Sequence, residues 1–106
     1  MRKNQLSRGL KRRLMYVENK SGDIDGADAR IGWVEFSKTG QTIYYRGRTL
    51  AKANGISGNF VDAETGDEYW VSGVKTRGSN VHWAEKASVK VDADAVEEYK
   101  RVRSSG

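Results

Sequence analysis

Every chain reversal in this sequence has to be made without proline, because the chain has none, against 12 glycines. With no ring-fixed φ angles to draw on, turns fall to Gly, Asn, Asp and Ser. Such residues cluster at Asn19-Lys20-Ser21-Gly22-Asp23, Ser37-Lys38-Thr39-Gly40-Gln41, Asn54-Gly55-Ile56-Ser57-Gly58, Glu64-Thr65-Gly66-Asp67 and Arg77-Gly78-Ser79-Asn80. Most of the segments between them are short and alternate in polarity, which favours strands over helices.

Alternation predicts a first strand over Arg13 to Asn19 and a loop over 19–29. A second strand runs from Arg30 to Ser37, with Ile31, Trp33 and Glu35 on one face and Gly32, Val34 and Phe36 on the other. After the hairpin turn at Gly40, Thr42 to Ala53 reads as one long strand, placing Tyr44, Arg46 and Arg48 on the face opposite Ile43, Tyr45 and Gly47. Asn59 to Ala63 and Glu68 to Lys75 form a further hairpin, and Lys86 to Val91 a last strand. The period then changes. Asp94 as N-cap and Glu97 as its capping-box partner open a helix over Ala95 to Arg103, with Val96, Tyr99 and Val102 as its apolar stripe. The expected fold is mainly β, a small antiparallel meander or SH3-like barrel with one short C-terminal helix.

A chain of 106 residues fits one domain, here 15–103, with 104–106 fraying, and has no room for separate catalytic and substrate halves. Cysteine is absent, which removes disulfides, thiolate nucleophiles and Cys-type zinc sites. The longest apolar run near the N-terminus, Leu14-Met15-Tyr16-Val17, is too short for a signal peptide or a membrane span. A cytoplasmic location and no membrane partner are expected.

The net charge of +5 is unevenly placed. Six of the 19 basic residues and none of the 14 acidic ones lie in residues 1–14, so the body from Met15 carries one net negative charge. Residues 1–14 read as a disordered, solvated extension able to bind polyanions non-specifically and dispensable for folding. Leu6, Leu10 and Leu14 recur at helical spacing, but Gly9 and the short length make that helix marginal.

Catalytic parts are scarce. His82 is the lone histidine and sits in a strand-like Val-His-Trp. There is no Gly-x-Ser-x-Gly elbow and no phosphate-loop lysine motif. Asp62, Glu64, Asp67 and Glu68 crowd one hairpin end without calcium-loop spacing and read as a solvated turn. No metal and no cofactor is expected. The stretch with most potential is Tyr44-Tyr45-Arg46-Gly47-Arg48: Tyr44, Arg46 and Arg48 could stack a base and hold phosphates, with Trp70 and Trp83 extending the surface. Alternatively, Arg46 and Arg48 pair with Glu35 or Glu68 across the ladder. The readings are a non-enzymatic binding module for a protein or single-stranded nucleic acid, an immunity-like or regulatory protein that occludes another protein, and a small enzyme using carboxylates or His82.

Glu18-Asn19-Lys20-Ser21-Gly22, Arg30-Ile31-Gly32, Phe36-Ser37-Lys38-Thr39-Gly40, Tyr44-Tyr45-Arg46-Gly47-Arg48 and Glu64 to Lys75, in this order, resemble a family of small uncharacterised bacterial proteins. The resemblance covers roughly Met15 to Arg103 and implies that residues 1–14 are an extension, since members begin near the equivalent of Met15. Some members carry a deoxyxylulose-phosphate synthase label. A thiamine-dependent synthase needs a cofactor-binding α/β architecture several times this size, so the resemblance implies no activity here.

Overall fold

The computed structural model describes residues 10–55, 57–75 and 88–105. Seven strands are present: β1 (Lys11–Asn19), β2 (Ala29–Phe36), β3 (Thr42–Tyr45), β4 (Arg48–Lys52), β5 (Phe60–Asp62), β6 (Glu68–Gly73) and β7 (Val89–Val91). A 3-10 turn at Ala93–Ala95 leads into the helix α1 (Val96–Ser105). Strands β2 to β6 form an antiparallel meander, and β1 pairs with both β2 and β6. The first six strands therefore close into an antiparallel barrel, as expected from the frequency of turn signals. β7 lies outside the ring, parallel to β2 along Ala29–Ile31.

The expected long strand over Thr42 to Ala53 is corrected. Arg46 and Gly47 have φ of 47° and 79°, and Tyr45 pairs directly with Arg48 across them. They form a two-residue hairpin turn of the kind whose twist matches antiparallel strands, with Gly47 taking a left-handed φ without steric cost. A second such turn lies inside the predicted 19–29 loop. Asp25 and Gly26 have φ of 50° and 86°, flanked by reciprocal backbone bonds of 2.7 and 3.2 Å between Ile24 and Ala27.

Alternation splits the apolar residues between two clusters. Val17, Val34, Ile43, Tyr45, Leu50, Phe60, Tyr69 and Val71 pack together with Ile24 inside the barrel. On the outer side of β1 and β2, Tyr16, Ala29 and Ile31 form a second cluster, to which Leu14, Trp70, Val89, Val91 and Tyr99 add partly buried surface. β1 is thus buried on both faces over Tyr16 to Asn19.

Three further features differ from expectation. β1 starts at Lys11, and Lys11 to Leu14 pair with Phe36 to Trp33, so the domain reaches into the basic extension and Leu14 is a strand residue. Leu6 and the predicted strand residues Lys86 and Ala87 lie outside the described residues. The helix has no Asp94 capping box. Asp92 precedes the 3-10 turn and makes no side-chain cap, because its carboxylate is engaged elsewhere. The acidic hairpin end is also less solvated than predicted: Asp62 is buried, and its Oδ1 accepts from the amides of Glu64 and Thr65 at 2.8 and 3.2 Å, an Asx turn that closes the hairpin. Glu68 Oε1 accepts from the amides of Ser57 and Gly58, both at 2.9 Å.

Starting the chain at Met15 should therefore destabilise it. The ladder from Lys11 to Leu14 and the Leu14 packing are lost, at a cost of about 1–3 kcal/mol. The expected outcome is a fall of at least about 5 °C in thermal midpoint relative to the full chain, read by circular dichroism.

Candidate functional site

The barrel is splayed at one seam. β3 pairs with β2 only at Tyr44 opposite Glu35 and Ile43 opposite Phe36, while β7 takes the same edge of β2 at Ala29 to Ile31. Gly32, Trp33 and Val34 have no strand partner on that edge among the described residues. Asp92, which follows β7, fills the notch. Its amide donates to the Ile31 carbonyl at 2.8 Å. Its Oδ1 accepts from Arg30 Nη1 at 3.0 Å and Arg46 Nη1 at 3.2 Å, and its Oδ2 from the Tyr45 hydroxyl at 2.5 Å. A Cβ at Gly32 would come within 2.9 Å of both the Asp92 carboxyl carbon and the Tyr45 Oη, so glycine is what admits the carboxylate.

Asp92 is only 7% exposed, a placement that would be strongly unfavourable for a carboxylate without compensating donors. Burial, reinforced by the adjacent Asp92, pushes the Tyr45 phenol well above its usual range. It therefore stays protonated and donating at neutral pH.

Arg30 extends the network. Its Nε donates to the Ile24 carbonyl at 3.0 Å and its Nη2 to the Asp25 carbonyl at 2.6 Å, fixing the Asp25-Gly26 hairpin beside the Arg46-Gly47 hairpin. There, Arg46 Nε donates to Asp25 Oδ2 at 2.6 Å, and Arg48 Nη2 and Nη1 donate to Oδ1 and Oδ2 at 2.8 and 3.2 Å. Hydrogen bonds from Arg48 first and Arg46 second hold the Asp25 carboxyl well below the usual carboxylate range. The carboxylate partners of Arg46 and Arg48 are thus Asp25 and Asp92, not Glu35 or Glu68.

On the outer surface, the splayed seam opens into a groove of about 560 Å³. The Arg12 guanidinium lies 4.3 Å from the Trp33 ring centroid, within cation–π range, and Trp33 Nε1 donates to the Asp94 carbonyl at 3.0 Å. Tyr44, Arg46 and Arg48 line the same groove, together with Glu35 and Asp94. An adjoining hollow of about 390 Å³ reaches from Trp33 and Arg46 to Asp92.

The structure thus brings Tyr44, Arg46 and Arg48 together, although through a hairpin turn instead of strand alternation. Trp70 is not with them. It stands on the outer side of β6, opposite Glu18 of β1, in the second apolar cluster. Trp83 and His82 lie outside the described residues. Sequence reasoning missed Arg12, Trp33, Asp25 and Asp92. The Asp25-Gly26 dipeptide is itself a hairpin signal, whereas nothing local distinguishes Asp92. Among the described residues, no group of three or more His, Asp or Glu is placed to hold a metal ion, and no helix is long and apolar enough to cross a membrane. Comparison with protein-family models, curated proteins and solved structures finds no match to this chain.

Removing one partner of the buried network should cost more than removing an exposed pair. Asp92→Ala leaves Arg30 and the Tyr45 hydroxyl facing an emptied notch, and a loss of about 3–5 kcal/mol is expected in urea unfolding. The Asp25 contribution should be smaller, because its side chain is 36% exposed. Its folded-state pKa is depressed, so its stabilisation is fully present above the ordinary aspartate value of about 3.9 and is lost as pH falls below that value toward the folded pKa. The stability gap between the unmodified chain and Asp25→Asn should accordingly be constant near neutrality and shrink on acidification below that value.

Proposed function

We propose that this chain is a non-enzymatic binding module, acting in the cytoplasm, that takes single-stranded nucleic acid in the groove at the splayed seam. The observation that carries this reading is the convergence of two aromatic side chains, Trp33 and Tyr44, with the guanidiniums of Arg12, Arg46 and Arg48 around one open groove. Single-strand binding by β surfaces uses these two elements: ring faces on which bases stack irrespective of sequence, and cations that follow the phosphates. With one net negative charge on the body from Met15, affinity for a polyanion rests on local geometry and not on long-range steering, apart from what the basic N-terminal residues add.

Membership of the small bacterial family that the sequence resembles belongs to the same proposal. A second reading is favoured by Glu35 and Asp94, two acidic residues among those lining the groove. They would repel a phosphate chain and suit a protein partner offering a basic side chain, as in the regulatory or immunity-like reading.

Fluorescence titration of the full chain with oligodeoxythymidine at low salt separates the two readings. Tyr44→Ala should weaken binding by about 1–3 kcal/mol through the lost stack. Arg12→Gln should reduce the slope of log affinity against log salt by about 0.7. The basic N-terminus is common to all variants, so differences among them report on the groove. Equal affinity and equal salt slope for the variants and the unmodified chain would remove the nucleic-acid reading and leave the protein partner.

A further inference from the structure

We infer that the fork made by Arg46 and Arg48 is a phosphate site which the chain fills with its own Asp25, so that a phosphate group of the ligand enters by displacing that carboxylate. The inference rests on the nucleic-acid reading above and deepens it. The Asp25 carboxylate is held as a bound oxyanion would be: Oδ1 takes Arg48 Nη2, and Oδ2 takes both Arg46 Nε and Arg48 Nη1. Paired guanidiniums present the same donors to a phosphodiester, whose two non-bridging oxygens and single negative charge match those of the carboxylate.

The fork is also pre-organised independently of Asp25. Arg46 Nη1 is fixed by the buried Asp92 carboxylate at 3.2 Å, and Arg48 Nη1 donates to the Arg46 carbonyl at 3.2 Å. Arg46 lies in the tight turn between β3 and β4 and Arg48 directly follows it, so releasing Asp25 leaves the two guanidiniums tethered near their positions. Asp25, by contrast, comes from a separate hairpin tip. Its backbone is anchored by Arg30 through the Asp25 and Ile24 carbonyls, and Ile24 is fully buried. The carboxylate can therefore leave by side-chain rotation while the hairpin stays docked. Arg46 and Arg48 also line the groove beside Tyr44, so the fork borders the groove in which a base would stack on that ring.

The test compares the full chain with Asp25→Asn in calorimetric titration with oligodeoxythymidine. Asn keeps the size of the side chain and removes the competing charge, so Asp25→Asn should bind about threefold to fivefold tighter, the size expected for releasing an exposed ion pair. The gain should vanish when Arg46→Gln and Arg48→Gln are also present. Binding by the unmodified chain with equal or weaker affinity for Asp25→Asn would overturn the displacement and leave the nucleic-acid reading standing. Absence of binding by both would overturn the two together. Should Asp25→Asn unfold, the unmodified chain decides the matter through the ¹³C resonance of the Asp25 carboxyl. A shift on saturation with oligodeoxythymidine supports displacement, and an unmoved resonance overturns it.

Discussion

The buried carboxylate of Asp92 is the constraint on which this structure turns. It sits where β2 loses its pairing with β3, and its donors come from β2, from the end of β3 and from the hairpin tip beyond it. A barrel that closed fully at this seam would have no need of Arg30, Tyr45 or Arg46 as donors. One that stayed open without Asp92 would leave two guanidiniums and a phenol facing each other in a half-desolvated notch. The splay and the charge network therefore imply one another, and Gly32 is the concession that lets both exist.

The groove inherits this arrangement. The same splay that draws Asp92 inward turns the outer sides of Trp33 and Tyr44 toward a common hollow, and the same Arg46 that reaches Asp92 with one nitrogen reaches Asp25 with another. The cationic rim of the groove is consequently tuned by two carboxylates of different kinds. Asp92 is buried and contacts three side chains of the network, whereas Asp25 is at a surface turn and contacts two. One closes the notch in the barrel; the other pairs with the two arginines at the hairpin tip.

Much of the fold could be read from local pattern. Gly40, Gly66 and the alternation around Ile31 to Phe36 and Tyr69 to Val71 locate two of the barrel's reversals and the strands beside them. What alternation could not reveal was the Arg46-Gly47 reversal, because a two-residue turn between two short strands preserves the look of one long strand. Tyr44 and Arg48 still meet, since folding a strand back on itself leaves residues on either side of the turn close together. The network at Asp92 was illegible for a different reason. Arg30 and Asp92 are 62 positions apart, and only the parallel addition of β7 brings them together. Arg12 was hidden by composition, which assigned it to a like-charged tail when it belongs to a strand.

Barrel closure carries a kinetic consequence. Within the ring, the pairings from β2 through β6 join neighbours along the chain and can zip up hairpin by hairpin. The pairing of Met15 with Gly73 and the addition of β7 to β2 must each gather distant segments, so the entropic cost of loop closure is concentrated in them. β1 is the strand that both closes the ring and supplies the floor for the outer cluster. Until it is seated, neither apolar cluster is complete.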